Sequence, residues 1–158
     1  SLIVDPTFII ADEPGAARDG NVQGHISNLL VELQEENDLT YLLIAHDLAL
    51  VRHVCDEVAV MYLGKIVEWG AAAEVFEHPR HPYSRLLIDS APIPDVAAER
   101  RRAVWTGIGE MPSPLARPSG CVFRTRCPFA QAICAEVEPK LEPGDGAHKF
   151  ACHFPLGT

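Results

Sequence analysis

The sequence contains no apolar run that approaches the roughly 20 residues a helix needs to cross a bilayer, and its first ten residues, SLIVDPTFII, include no basic leader. Positive charge is also scarce, because 13 basic side chains face 22 acidic ones and the formal net charge is −9. Such a charge disfavours binding to nucleic acid or to anionic lipid. We therefore expect a cytoplasmic chain with no export signal, no membrane span and no nucleic-acid partner.

Proline and cysteine are nearly missing from the first half of the chain. Only Pro6 and Pro14 precede residue 79, and Cys55 is the only cysteine before residue 121. The other four cysteines lie in the last 38 residues, where clustered thiols of a cytosolic chain indicate metal or iron–sulfur ligation before disulfides. The change in composition near residue 79 predicts two parts of different character.

The first half carries an alternation that is typical of α/β proteins. Residues 7–12 (TFIIAD) and 40–46 (TYLLIAH) are short apolar runs, which predict strands buried on both faces of a parallel sheet. Residues 21–36 predict an amphipathic helix, because apolar side chains recur at helical spacing at Val22, Ile26, Leu29, Leu30 and Leu33. Asp47 occupies the position of a cap for a second helix. Strand, helix, strand, helix predicts a doubly wound fold.

The second half begins with a predicted β-hairpin. Residues 57–63 and 66–70 are its strands, and Gly64–Lys65 is its tight turn. Two short helices and a proline-rich, extended connector are expected to follow, over residues 71–77, 83–91 and 92–118. The basic run at residues 100–102 is interpreted as solvated surface within this connector.

Two adjacent carboxylates, Asp12 and Glu13, end the first predicted strand, and His46 ends the second. Open α/β sheets bind ligands at the carboxyl edge of their strands, where these three side chains should meet. An aspartate there suits Mg²⁺, a glutamate could orient the water that attacks a γ-phosphate, and a histidine could hydrogen-bond that phosphate. Each residue alone is more often a simple strand-end residue, so the prediction of a nucleotide site depends on their conjunction.

Several longer stretches resemble a known family. "IIADEP", Asp19 and "TYLLIAHDLALVRHVCDEVAVMYLGKIVEWG" resemble the second half of an ABC-type ATPase domain, from the Walker B strand to the hairpin after the H-loop. "VFEHPRHPYSRLLIDSAPIPD", "PSGCVFRTRCPFAQAICAEVEP" and "ACHF" resemble the C-terminal extension of ATPase subunits from dipeptide/oligopeptide importers. By this resemblance Asp12 is the aspartate that binds Mg-ATP and Glu13 is the catalytic base. His46 is then the switch histidine, and Asp19 the D-loop aspartate.

The resemblance also implies a fold, a division of the chain and partners. The expected fold is α/β: part of a P-loop NTPase-type parallel sheet with flanking helices and a β-hairpin, followed by a small irregular cysteine-rich extension. Three parts are expected: the ATPase segment at residues 1–78, the HPY helix with its connector at residues 79–118, and the cysteine-rich extension at residues 119–158. The implied partners are transmembrane permease subunits and a second ATPase subunit at the inner face of the cell membrane. The implied function is ATP-driven import of dipeptides or oligopeptides.

The phosphate-binding side of such a site is lacking in these 158 residues. An ABC site requires a GxxxxGK[ST] loop, but the only Gly-Lys pair, Gly64–Lys65, lies in the predicted hairpin turn, and the Q-loop and signature of the family are absent too. We therefore expect negligible ATP hydrolysis by this chain alone, and use of Mg-ATP only with a complementing front half. Because strand 40–46 lacks its neighbour in the family's sheet, we also expect a dimer or association with a front-half chain.

The loop after the carboxylates departs from the family. Residues 15–18 read Gly-Ala-Ala-Arg between Pro14 and Asp19, where family members usually read close to TSAL. In the family this loop crosses the dimer interface, so the resemblance implies weakened coupling between paired sites.

The four clustered cysteines follow the spacing C-x₅-C-x₆-C-x₁₇-C and lack the short C-x₂₋₄-C pair of typical structural zinc sites. Pro128 predicts the start of a helix that runs to about Glu136. A continuous helix would separate the α-carbons of Cys127 and Cys134 by about 10 Å. That distance favours a cluster that is wider than a single ion.

The resemblance implies that a [4Fe–4S] cluster is held by Cys121, Cys127, Cys134 and Cys152. Zinc, with His148 or His153 as a substitute ligand, is the second alternative, and plain buried thiols are the third. The rival to the ATPase interpretation is a non-catalytic regulatory or interaction module that bears iron–sulfur or zinc. A partial sequence without a separate function also stays open.

Overall fold

The structure of the chain, a computed structural model, describes residues 6–14, 20–91, 109–144 and 146–157, with the side chains of residues 20–23 left out. Its contacts divide the chain into two compact units, Ser1–Asp56 and Glu57–Thr158. Within the described ranges, no helix combines the length and the apolar character that a membrane span requires. The division at residue 78, which rests on motifs and not on contacts, stays a prediction.

Unit 1 is a strand–helix–strand–helix segment, as its apolar periodicity predicts. Its elements are β1 (Phe8–Asp12), α1 (Gly20–Asn37), β2 (Thr40–Ile44) and α2 (Leu48–Val54). β1 and β2 pair in parallel, with Phe8 opposite Thr40 and Asp12 opposite Ile44. Asp47 caps α2, because its side chain accepts hydrogen bonds from the backbone N–H groups of Ala49 and Leu50.

One face of this small sheet is exposed, so the prediction that both strands are buried on both faces is wrong for this chain. Alternate residues of each strand are exposed, and four of them are large and apolar: Phe8, Ile10, Leu42 and Ile44. The register places them on the same side. The physical reason is that, among the described residues, the sheet has only two strands and no element buries this face.

Unit 2 is built on the predicted hairpin. It comprises β3 (Glu57–Tyr62), β4 (Lys65–Ala71), α3 (Ala72–Glu77), α4 (Pro82–Ser90), α5 (Ile133–Glu136), β5 (Glu142–Pro143) and β6 (Lys149–Phe150). The strands form an antiparallel sheet in the order β3-β4-β6-β5. The two short strands β5 and β6 have no periodic signal in the sequence and were not expected.

The hairpin turn lies one residue earlier than predicted. Leu63 and Gly64 are the turn residues, with φ of 46° and 73°, and Lys65 is already the first residue of β4. Positive φ at both central positions matches the right-handed twist of a hairpin. The correction matters because it places the Lys65 side chain at the start of a strand, where it forms an ion pair with Glu138 at 2.8 Å.

The core of unit 2 joins the hairpin, α4 and the cysteine-rich extension. Its buried members are Tyr62, Val67, Leu86, Cys121, Val122, Phe123 and Cys134. Phe123 is fully buried and its ring meets the Tyr62 ring edge-on, with centroids 5.3 Å apart. Burial of such an aromatic side chain contributes roughly 1.5–3 kcal/mol. The extension is therefore packed into the unit rather than appended to it.

The helix predicted from Pro128 to Glu136 is wrong. Only α5 is helical in this range, and the residues before it form turns, so Cys127 lies outside the helix that holds Cys134. The backbone reason is that carbonyls in this segment accept hydrogen bonds from N–H groups three residues later, which form turns. The carbonyl of Cys127, for example, accepts the N–H of Ala130. The spacing of about 10 Å that a continuous helix would impose therefore does not apply. Of the predicted connector, residues 92–108 lie outside the described residues, and residues 109–118 contain no helix or strand.

Candidate functional site

The carboxyl ends of β1 and β2 lie side by side. The backbone N–H of Glu13 donates to the carbonyl of Ile44 at 2.8 Å, one residue beyond the last paired position of β1. This hydrogen bond continues the ladder to the edge of the sheet and holds Glu13 next to the residues that follow β2. Asp12, an exposed residue, is the last residue of β1 and is paired with Ile44.

Glu13 and His46 contact each other directly at this edge. His46 Nδ1 lies 2.6 Å from Glu13 Oε2, with 78% and 39% of the two side chains exposed. The hydrogen bond to Glu13, followed by its charge, raises the pKa of His46 above its ordinary value. Since both groups face water, the attraction is screened. The arrangement presents a carboxylate oxygen and an imidazole nitrogen together at the end of the sheet.

Glu13 has an unusual backbone conformation, with a φ of 48°. This left-handed conformation costs roughly 1–2 kcal/mol for a residue with a side chain. It turns the chain out of the extended conformation of β1, so Glu13 does not continue the alternation of the strand. Strained residues of this kind concentrate at functional sites.

The other residues of the predicted nucleotide site are only partly visible. Asp19, assigned to the D-loop, and the unusual segment 15–18 lie outside the described residues. Among the predicted residues, the structure thus brings Glu13 and His46 into contact and places Asp12 beside Glu13. Carboxylate oxygens at such an edge are suited to Mg²⁺ and to holding a water molecule by its proton.

The four clustered cysteines line one small cavity in unit 2. Cys121, Cys127, Cys134 and Cys152 surround it together with His81, Phe123, Arg124 and His153, and its free volume is about 10 Å³. A backbone hydrogen bond from Cys121 to the carbonyl of Cys134, at 2.8 Å, joins two of the segments that carry the thiols. Gly120, with a φ of 63°, permits this approach, because a Cβ there would overlap the Cys134 carbonyl oxygen.

Burial affects the acidity of these thiols. It raises the pKa of Cys121 and Cys127, and it raises the pKa of Cys152 to about 12. The neighbouring cysteines add to each rise, while backbone N–H groups oppose it. These three thiols are therefore protonated near neutral pH, and any metal bound there has to displace protons.

The cavity differs from a preformed site for one metal ion. In the part of the chain that the structure describes, no three His, Cys, Asp or Glu side chains are arranged to hold a single ion. Its lining still contains four thiols, no carboxylate and one arginine, Arg124. This set of donors has the composition that iron–sulfur clusters use.

A buried carboxylate that sequence reasoning missed is hydrogen-bonded to His81, one of the residues that line the cavity. Glu68, on β4, is completely buried and accepts backbone N–H bonds from Arg80 at 2.7 Å and His81 at 2.9 Å. Its Oε1 also lies 2.7 Å from Nε2 of His148. Gly70 makes room for His148, since a Cβ at Gly70 would be 3.0 Å from that ring. The signal in the sequence was a lone glutamate inside the apolar strand IVEWG.

His81 is the second residue that was missed. It caps α4, because its Nδ1 accepts the backbone N–H of Tyr83 at 3.0 Å. It is 1% exposed, and burial lowers its pKa to about 3, so the ring is neutral. Its ring lines the cysteine cavity, and within the described structure its Nε2 has no hydrogen-bond partner. The motif HPRHPY, which contains it, lies between the short helices expected at residues 71–77 and 83–91 and within the stretch that resembles the family's C-terminal extension, but His81 was given no role in a site.

Comparisons with known proteins agree with these features. A profile of the family described as "Oligopeptide/dipeptide transporter, C-terminal region" matches residues 67–134, from β4 to the middle of the cysteine-rich extension. The oligopeptide transport ATP-binding protein OppF of Escherichia coli (strain K12) is 49% identical over 152 residues, which are 96% of this chain and 45% of that protein. The chain corresponds to the C-terminal part of the oligopeptide transport ATP-binding proteins.

Other members of this family match to a similar extent. AppF of Bacillus subtilis (strain 168), also an oligopeptide transport ATP-binding protein, is 46% identical over 98% of this chain and 47% of its own length. The chain thus spans about half the length of these curated relatives. Among solved structures, cbiO1 of Clostridium perfringens, part of the ABC transporter complex cbiONQ, is 30% identical with a TM-score of 0.48, covering 63% of this chain and 38% of that one. The family predicted from the motifs is confirmed.

Proposed function

We propose that the chain provides the Mg²⁺-binding and water-activating half of an ATP site in a subunit that drives import of dipeptides or oligopeptides. The observation that carries the proposal is the 2.6 Å contact of Glu13 with His46 at the carboxyl edge of a parallel strand pair. It is supported by 49% identity to a protein named for oligopeptide transport and ATP binding. When bound, Mg-ATP supplies the γ-phosphate and the divalent charge.

Each residue at the edge of the sheet would have a separate role. Asp12 provides a carboxylate oxygen for Mg²⁺, and Glu13 accepts the proton of a water molecule as general base. His46 donates Nδ1–H to Glu13, so its Nε2 carries a proton only in the imidazolium form. The raised pKa of His46 favours that form, in which Nε2 can donate to a phosphate oxygen. Asp19 remains our candidate for the contact between paired ATPase subunits.

The partners proposed for the whole subunit follow from the same relatives. We propose that it works with transmembrane permease subunits and a second ATPase subunit at the cytoplasmic face of the membrane. The exposed apolar face of β1 and β2 requires cover from further ATPase structure, which is consistent with a subunit about twice this length.

The test is ATP hydrolysis by the 158-residue chain alone and with a front-half polypeptide that carries the phosphate loop and signature of the family. We expect negligible turnover alone and measurable turnover with the added half. Glu13→Gln should then lower turnover by about 10²-fold or more. The matched control is Glu36→Gln, at an exposed glutamate of α1, which should retain turnover. Hydrolysis by the chain alone that disappears in Glu13→Gln would overturn the half-site proposal.

For the extension, we propose that Cys121, Cys127, Cys134 and Cys152 hold a [4Fe–4S] cluster. The donor set fits, with four thiols around one cavity, and zinc is the alternative. Among the described residues no three ligands are already arranged to hold a metal, so either metal requires the side chains around the cavity to move. With a cavity volume of about 10 Å³, which is room for about one water molecule, the cavity has to widen to admit a cluster.

Anaerobic reconstitution with iron and sulfide tests the assignment. The chain should turn brown and contain iron and sulfide in equal amounts, and Cys134→Ser should lose both. Cys55→Ser is the matched control, because Cys55 is a half-buried cysteine of unit 1 that does not line the cavity. Purified protein that contains zinc alone and takes up no iron would contradict the cluster.

A further inference from the structure

A residue in the lining of the cysteine cavity carries a hydrogen-bond donor that nothing in the described protein uses. His81 is 1% exposed, its ring lines the cavity, and its Nε2 has no partner. Buried polar groups are almost always paired, so an unpaired one in a native fold requires an explanation.

The tautomer of His81 is determined by its other nitrogen. Nδ1 accepts the backbone N–H of Tyr83 at 3.0 Å, in the first turn of α4. A nitrogen that accepts in this way carries no proton, so the neutral ring has its proton on Nε2. Since the two ring nitrogens point in different directions, Nε2–H is not directed at the Tyr83 N–H that Nδ1 accepts. His81 is therefore a fixed donor and not an acceptor.

The cavity's own side chains do not receive this donor. None of the four cysteine sulfurs is within hydrogen-bond reach of it, as Nε2 has no partner in the described structure. The second histidine of the lining, His153, is already engaged, with Nε2 2.9 Å from the carbonyl of Val137. Arg124 is a donor itself and is directed to the carbonyl of Ser119 at 2.9 Å. A group that enters the cavity would supply the acceptor that the described residues lack.

We propose that His81 donates its Nε2–H to a sulfur atom of the iron–sulfur cluster held by the four thiols, and that this hydrogen bond raises the cluster's reduction potential. The inference rests on the proposed cluster and goes beyond it by assigning a residue outside the ligand set. A bridging sulfide is the acceptor that an iron–sulfur cluster adds and that a zinc ion bound by thiolates does not. Reduction makes the sulfurs more negative, so a donor stabilises the reduced state more than the oxidised one.

The variant that tests this role is His81→Asn. Asparagine is a good helix cap, so its side-chain oxygen can still accept from Tyr83, while the Nε2–H is removed. All four thiols remain. The matched control is His153→Gln, which replaces the other histidine of the same cavity, one whose Nε2 is already hydrogen-bonded to the backbone.

The readout is the midpoint potential of the reconstituted full chain, measured by redox titration under visible absorbance and EPR. We expect both variants to bind iron like the natural protein, His81→Asn to have a more negative potential, and His153→Gln an unchanged one. Equal potentials in all three proteins would overturn the role of His81 and leave the cluster proposal standing. Absence of iron from the natural protein would overturn both.

A second measurement does not require His81→Asn to fold. In pulsed EPR of the reduced natural protein labelled with ¹⁵N-histidine, a nitrogen coupling to the cluster is expected, and it should persist in His153→Gln. No histidine coupling in the natural protein, or a coupling that disappears in His153→Gln, would contradict the donation from His81.

Discussion

Glu13 and His46 form a contact whose strength can be measured through the titration of one side chain. The hydrogen bond and charge of Glu13 raise the pKa of His46 above its ordinary value of about 6.5. Because the pKa of His46 is raised in the folded state, the contact contributes its full stabilisation at pH values below the pKa of His46 in the unfolded chain. The stabilisation is lost as the pH rises through the folded pKa, that is, from mildly acidic to neutral and higher pH.

We therefore predict that Glu13→Gln lowers the pKa of His46 toward its ordinary value, because the amide removes the charge and weakens the hydrogen bond. NMR titration of the His46 ring measures this directly, and Glu36→Gln should leave its curve unchanged. A pKa of His46 that is the same in the natural protein and in Glu13→Gln would show that the contact does not form in solution.

At the scale of elements, the segment around Gly120 is held against α5 so closely that no side chain fits between them. Gly120 and Gly146 both have positive φ, 63° and 84°, so alanine at either position costs roughly 1–2 kcal/mol in backbone strain. The two positions differ in the space that is available for a side chain. A Cβ at Gly120 would overlap Cys134 and lie 2.9 Å from backbone atoms of Ala135, whereas a Cβ at Gly146 would meet nothing within 4 Å.

We predict that Gly120→Ala destabilises the protein by about 1–3 kcal/mol more than Gly146→Ala, because the backbone of α5 has to move. Urea denaturation measures the difference. The movement should also break the hydrogen bond between Cys121 and Cys134, so thiol reagents should modify Gly120→Ala faster than Gly146→Ala. Equal stabilities and equal thiol reactivities would contradict the close packing.

The elements also show where sequence reasoning succeeded and why it stopped. β1, α1, β2, the hairpin and the cap at Asp47 depend on periodicity and on neighbours a few residues apart, which a sequence displays. The nearness of Glu13 to His46 followed from one rule about parallel strands. Glu68 and His148, by contrast, are 80 residues apart, and no local pattern predicts their contact. The helix expected after Pro128 failed because tertiary packing around the cysteines favours turns over a regular helix there.

At the scale of the whole molecule, the exposed face of the β1–β2 sheet predicts association. The four apolar side chains on that face are 48% to 61% exposed, and within the described residues β2 has a hydrogen-bonding neighbour on one side only. Exposed apolar patches and free strand edges recruit partners. We predict that the 158-residue chain is dimeric or larger in light scattering.

The double variant Ile10→Thr/Leu42→Thr keeps β-propensity while it removes apolar surface, so it should reduce the measured mass. Met61→Thr, at a residue of unit 2 that is 59% exposed, is the matched control and should leave the mass unchanged. A monodisperse, folded monomer of the natural sequence would contradict this prediction.

The hydrogen bond between Glu68 and His148 has a consequence for how the protein is made. The ribosome adds Glu68 to the chain first and reaches its buried partner, His148, only 80 residues later. Cys152, the last of the four thiols, is made later still. Until then the hairpin carries a carboxylate without one of its partners, and the cavity lacks a wall. Unit 2 can therefore complete this cavity only after Cys152 has emerged from the ribosome, so the proposed cluster can be inserted only after that residue has been made.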